Sequence, residues 1–208
     1  MSGTVPKPTI LYRFTHIDNI EWMLSNGVPS INSSKKCPNY KGIGDKSIIN
    51  KRALKSTSLF PGDNLNDYVP FYFAPSSPML YLLTKNGKAF PQDIVYIVTS
   101  VEKLEELNQC IVFTDGHALM AFTKFYTDTN NLNALDWDIM KEKFWRNTLE
   151  DNDRQRRREA ELLVKDEVLP HAILGLGVHN TKNEEYLKSL VIKSGQNIHV
   201  VRRPKWYY

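Results

Sequence analysis

Cysteine is scarce in this chain, and the two that occur exclude more than they offer. Cys37 and Cys110 lie far apart and form no CxxC pair. They read as reduced thiols of a cytosolic protein rather than as a disulfide framework. Histidine is also sparse. His16, His117, His171, His179 and His199 show no HxxxH or HExxH spacing, so neither a structural nor a catalytic zinc is expected. No GxxxxGK[ST], GxSxG or GxGxxG occurs, which removes a P-loop, a hydrolase elbow and a dinucleotide-binding Rossmann turn. No stretch approaches the ~18 consecutive apolar residues of a membrane span. The start, "MSGTVPKPTILYRF", lacks the basic residues and long apolar run of a signal peptide. The expectation is a cytoplasmic protein that uses no metal and no membrane.

What is present suits an ordinary folded protein. The 208 residues, 41% hydrophobic and 24% charged, are enough for one domain, residues 1–208, with a sizeable core. The net charge of +4 is small but unevenly spread. Between residues 35 and 55, Lys35, Lys36, Lys41, Lys46, Lys51, Arg52 and Lys55 face a single acid, Asp45. Arg154, Arg156, Arg157 and Arg158 form a second cluster, and "VVRRPKWYY" closes the chain. Clustered positive charge can attract a polyanion even when the total is modest. Solvated charged faces are the plainer explanation of each cluster alone.

Residues 10–14 read as a strand, followed by a short helix with Ile17, Ile20, Met23 and Leu24 on one face, ending near Asn26-Gly27. Residues 30–50 lack periodicity and read as a long loop. "YVPFYFAPSSPMLYLL" reads as strand, turn and helix, and "DIVYIVTSV" and "CIVFTDG" as strands. "HALMAFTKFYTD" and "DWDIMKEKFWRN" read as helices; Asp136 and Asp138 fit first-turn charges better than a Mg²⁺ site. "AELLV", "HAILGLGVHN" and "NIHVVRR" read as strands. The sum is α+β with a mixed sheet and no βαβ alternation.

Polar residues embedded in these strands are the candidate functional groups. Arg13 and Thr15 flank Phe14, Tyr72 lies in "PFYFAP", His117 follows "FTDG", and Glu161 opens "ELLV". Together they suggest a cleft lined from several strands. Glu161 allows two readings. It can continue a charged helix, with Arg157 and Arg158 as surface ion-pair partners worth ~0.3–0.5 kcal/mol each. It can instead stand at the head of a buried strand, kept ionised by neighbouring arginine charge.

"LYRFTHIDNI", "IGDKSIINKR", "YVPFYFAPSSPMLY", "FTDGHA", "DWDIMKEKFW" and "RRREAELLVKDEVLP" resemble, in order, the signature segments of the DarT family of DNA ADP-ribosyltransferase toxins. The resemblance covers roughly residues 9–180 and implies an ADP-ribosyltransferase fold, with a central split β-sheet forming an NAD⁺ cleft and peripheral helices. It implies transfer of ADP-ribose from NAD⁺ to a base of single-stranded DNA, thymine being favoured, with release of nicotinamide. It also implies a macrodomain antitoxin partner, DarG, and a monomer is expected. It places the catalytic glutamate on Glu161 and the catalytic arginine on Arg52. Tyr72 matches an aromatic along the cleft, and Asn19 falls among the co-substrate residues. The family's first-strand "HITHI" is "RFTHI" here, which leaves Arg13, Thr15 and His16 as candidates to hold the NAD⁺ ribose. Tyr40, Lys41, His117, Arg154 and Arg156 are the implied DNA contacts.

These residue types fit that chemistry. Breaking the nicotinamide glycosidic bond builds positive charge on the ribose, which a carboxylate stabilises. An arginine can hold pyrophosphate or the incoming base. A ring nitrogen such as thymine N3 must lose its proton to attack. A basic loop with aromatics suits a single strand, whose reacting edges are not hidden by pairing. The rivals are a related transferase acting on guanine, RNA or protein, and a non-catalytic single-strand-binding module.

Overall fold

A computed structural model describes residues 3–57 and 60–208. Among these residues ten strands form in chain order. They are β1 (Ile10–His16), β2 (Val28–Pro29), β3 (Tyr68–Tyr72), β4 (Ile94–Ser100), β5 (Ile111–Thr114), β6 (Phe125–Tyr126), β7 (Glu161–Lys165), β8 (Glu167–Val168), β9 (Gly175–Val178) and β10 (His199–Arg202). Seven α-helices accompany them: α1 (Ile20–Asn26), α2 (Lys46–Leu54), α3 (Pro78–Lys85), α4 (Val101–Glu106), α5 (Trp137–Lys141), α6 (Arg154–Arg158) and α7 (Thr181–Ser194). Eight strands make one mixed sheet in the order β10-β9-β4-β1-β3-β7-β5-β6, and β2 pairs with β8.

The sheet is split at its centre. β1 pairs with β4 along its whole length, from Ile10 opposite Ser100 to His16 opposite Ile94. β3 pairs likewise with β7, from Tyr68 opposite Lys165 to Tyr72 opposite Glu161. Between β1 and β3 the only register pair is Tyr12 opposite Tyr72. Pro70 gives the physical reason. Its carbonyl faces β1, where it accepts from Arg13 Nη1 at 3.0 Å, and proline has no N–H to offer on that side. The ladder therefore cannot propagate, and the two half-sheets diverge.

Packing follows the split. On one face a continuous cluster that includes Leu11, Phe71, Val95, Ile97, Leu162 and Val164 runs beneath both half-sheets. On the other face the core divides in two. Phe14, Leu80, Ile94, Tyr96 and Tyr207 pack on one half, while Leu65, Tyr68, Val112, Ala118 and Leu163 pack on the other. A trough opens between them.

Several local expectations change. The helix expected over "HALMAFTKFYTD" is a turn-rich loop leading into β6. Its polar groups are claimed elsewhere: His117 N–H donates to Arg156 O, Lys124 N–H to Asp115 Oδ1, and Thr123 Oγ1 to His117 O. The helix opening at "DWD" stops at Lys141, because Arg158 Nη1 takes the carbonyls of Ile139 and Met140. Asp136 caps it by accepting from Ile139 N–H. The loop expected over 30–50 ends at Asp45, which caps α2 through Ser47 N–H.

Candidate active site

The trough holds a cavity of about 340 Å³, within the range of small-molecule sites. Both half-sheets line it, and residues 29–49 wall it from one side. Tyr12, Tyr72 and Glu161 stand in one cross-strand row, so their side chains share the trough face.

Glu161 stands at the head of a buried strand, the second of the two readings its sequence context allowed. The helix ends at Arg158 and the strand begins at Glu161. Its carboxylate is only 2% exposed. Arg157 and Arg158 do not pair with it. Oε2 accepts from Arg52 Nη1 at 2.8 Å, and Oε1 from the Ala118 main-chain N–H at 3.0 Å. Burial pushes this carboxyl up, but the Arg52 charge, with the other contacts, holds it below the ordinary glutamate range. Glu161 is thus an ionised carboxylate kept at the floor of an apolar-walled cavity. Thr114 Oγ1 fixes the strand entrance by accepting from Glu161 N–H at 3.0 Å.

Arg52 comes from the last turn of α2 and is itself buried, with Nη2 donating to Leu65 O at 3.4 Å. Asn66 ties α2 down through a bond to Ile49 O at 3.0 Å. His117 lies on the other side of the carboxylate, with Nδ1 at 3.8 Å from Oε1. That nitrogen accepts from Leu119 N–H at 3.1 Å, which orients the ring. Its Nε2 edge has no hydrogen-bond partner among the described residues and is left for a ligand.

Arg13, Tyr40, Arg52, Tyr72, His117 and Glu161 all line the cavity. Tyr40 is half exposed at its mouth. Thr15, His16 and Asn19, expected as co-substrate contacts, are not among the residues that line it. Strand alternation turns Thr15 to the face opposite Phe14. His16 Nδ1 caps the following turn by accepting from Asp18 N–H, and Asn19 is fully buried against Thr15 and Lys41.

Members of both basic clusters are paired within the protein. Lys41 pairs with Asp18, and Lys35 with Glu167. Arg156 is engaged by Asp153 and Asp115, at 2.7 and 3.1 Å, and Arg157 by Asp136 and Asp151. Arg158 is buried, with Nη2 on Pro75 O and Nη1 on α5. These arginines are internal ties that fasten the 115–124 loop, the 141–153 segment and the β3–α3 turn around the site. Arg154 makes a single bond, to Phe144 O at 2.9 Å, and keeps the rest of its guanidinium free among the described residues.

Phe14 and Met79 were missed as wall residues. Met79 accepts from Tyr72 OH at 3.9 Å. An apolar residue in a strand or helix carries no sequence signal separating cavity wall from core. Ala118 was missed because a main-chain donor leaves no trace in residue type.

A family model described as "ssDNA thymidine ADP-ribosyltransferase, DarT" matches residues 12–208. This chain belongs to the DarT family. A DNA ADP-ribosyl transferase from Escherichia coli O127:H6 is 31% identical, over 98% of this chain and 95% of its own length. The DarT of Thermus sp. 2.9, solved in complex with ADP-ribosylated ssDNA, superposes with a TM-score of 0.91 at 28% identity, covering all of both chains. The same DarT in complex with NAD⁺ gives 0.84 at 27% identity. A DarTG from Thermosipho africanus, in complex with ADP-ribose, matches with a TM-score of 0.80 at 26% identity, over 96% of this chain and 51% of that one. The fold expected from the DarT resemblance, a split mixed sheet with peripheral helices, is the one observed. Among the described residues there is no group of three or more His, Cys, Asp or Glu placed to hold a metal, and no helix long and apolar enough to cross a membrane.

Proposed function

We propose that this chain binds NAD⁺ in the trough between β1 and β3 and transfers its ADP-ribose to thymine in single-stranded DNA. The observation that carries the assignment of residues is the buried Arg52–Glu161 pair at the floor of the split sheet. Glu161 stabilises the positive charge that develops on the ribose as the bond to nicotinamide breaks. Arg52 keeps that carboxylate ionised and fixes its rotamer. Tyr72, in the same cross-strand row, offers a ring to the nicotinamide side, and Arg13 presents its guanidinium from the gap between the strands. The thymine nitrogen then bonds to the ribose carbon that nicotinamide leaves, and its proton passes to water. His117, with Nδ1 committed to Leu119, donates from Nε2 to a base carbonyl as negative charge spreads onto it. Half-exposed Tyr40 and the free edge of Arg154 are the remaining DNA contacts.

The reading takes residues 1–208 as one domain, a monomer acting in the cytoplasm. The apolar cluster continuous beneath both half-sheets supports the single domain. A DarG-type macrodomain protein is the proposed antitoxin; the Thermosipho fusion, which joins a transferase to a DNA ADP-ribosyl glycohydrolase, supports that pairing.

The test is mass spectrometry of oligonucleotides incubated with the protein and NAD⁺. Single strands should gain one ADP-ribose on thymine, and the same sequence in a duplex should react less, because exposing the base costs a few kcal/mol. A strand that is bound and never modified, with NAD⁺ unconsumed, would return the chain to the binding-module reading.

A further inference from the structure

Residues 36–44 contain no helix or strand, yet Tyr40, Gly42, Ile43 and Gly44 from this segment line the cavity. Its main chain is fastened at one point. Asn19 Nδ2 donates to Lys41 O at 2.9 Å, and Asn19 Oδ1 accepts from Lys41 N–H at 2.9 Å. The carboxamide thus pairs with one peptide residue as a neighbouring strand would. Its second N–H goes to Thr15 Oγ1 at 3.0 Å, which sets the orientation of the amide. Among the described residues, no other hydrogen bond joins the main chain of 36–44 to a part of the protein beyond this loop. Lys41 Nζ adds an ion pair with Asp18, but both groups are about half exposed and such pairs contribute little.

We infer that Asn19, oriented by Thr15, is a positioning residue for co-substrate binding. It fixes the main chain at Lys41, between two cavity-lining residues, and so sets the wall against which NAD⁺ packs without touching NAD⁺ itself. The inference rests on the proposed use of the cavity for NAD⁺. Its physical basis is that the chain on either side of the clamp has no secondary structure to hold it, and that a reciprocal amide pair restrains both translation and rotation of a peptide. Asn19 is fully buried, so no water replaces its bonds.

The test uses the full chain and three variants: Asn19→Ala, Thr15→Val and Lys41→Pro. The last removes the N–H that Asn19 accepts, at an exposed residue. NAD⁺ affinity by calorimetry, KM and kcat for transfer, and hydrogen exchange over residues 36–44 are read for each. Asn19→Ala and Lys41→Pro should each raise KM for NAD⁺ by about tenfold or more with kcat changed by less than about threefold. Combining them should add little further, because they break one contact. Thr15→Val should fall between these and wild type, and Thr15→Ser should restore wild-type values. Exchange should rise in 36–44 and stay unchanged in β1 and β7. Unchanged NAD⁺ affinity in Asn19→Ala overturns the inference. So does a loss of affinity with 36–44 still protected, which would make Asn19 a direct contact. If Asn19→Ala fails to fold, Lys41→Pro and Thr15→Val decide by the same criteria. A wild-type chain that binds no NAD⁺ would sink the parent reading instead, visibly so because the exchange measurement stands apart from it.

Discussion

Arg52 Nη1 and Glu161 Oε2 meet at 2.8 Å across a separation of 109 residues, and neither side chain is more than 8% exposed. The attraction is offset by the cost of removing both charges from water, so the pair says little about net stability. It says more about what happens when one member is lost. Glu161→Ala strands a buried guanidinium and should destabilise the fold by about 3–5 kcal/mol. Glu161→Gln keeps the volume and a hydrogen-bonding group. It should fold with a milder loss while transfer falls by about 10²–10³ or more, because the charge proposed to stabilise the ribose is gone. Thermal melts beside oligonucleotide labelling separate the two effects. Near-normal labelling by Glu161→Gln would remove the carboxylate from the chemistry.

Arg52→Lys tests geometry at constant charge. One ammonium on a shorter reach cannot serve both Glu161 and the Leu65 carbonyl, which the guanidinium spans. Losing a charged hydrogen bond of this kind costs about 1.5–3 kcal/mol. If that is felt in the transition state, transfer drops roughly ten- to a hundredfold. Full activity in the lysine variant would mean that positive charge alone suffices.

Glu159 predicts a pH dependence of stability. Burial, and then the charge of Glu161, push its carboxyl up to about 8 from an ordinary 4.5. A raised folded-state value means that the folded protein holds the proton more tightly than the unfolded chain. The contribution is therefore complete below about 4.5 and is lost as the pH rises through about 8. Melting temperatures should decline across that window in wild type, and the decline should flatten in Glu159→Gln. Parallel curves for the two proteins would show that Glu159 does not titrate there.

The arginine run divides into ties and a free edge, and salt dependence can tell them apart. If Arg154 meets a phosphate, Arg154→Ala should reduce the slope of log K against log salt for single-stranded DNA by about 0.7. Arg157→Ala should leave the slope alone and lower the melting temperature, since its guanidinium already serves Asp136 and Asp151. A slope change of similar size in both variants would place the whole run on the strand.

Much of the fold was legible in the sequence. β-branched and aromatic runs marked β1, β3, β4, β5 and β7, and Asn26-Gly27 marked the end of α1, where Gly27 takes a φ of +81°. The six segments that resemble the DarT family named Glu161, Arg52 and Tyr72, and the structure brings all three together. What only the tertiary structure decided was where polar groups find their partners. Arg156, Arg157 and Arg158 look like a nucleic-acid patch until Asp115, Asp136, Asp151 and the carbonyls of Pro75, Ile139 and Met140 arrive from distant parts of the chain. The 117–124 stretch has helical composition but spends its hydrogen bonds on Glu161, Arg156 and itself. Asn19 matched a co-substrate position, and the folded chain commits its carboxamide to Lys41 and Thr15. Local periodicity reports which face of an element is apolar. A charge or an amide is placed by whichever donor or acceptor the folded chain brings within about 3 Å, and that depends on contacts a linear pattern does not contain.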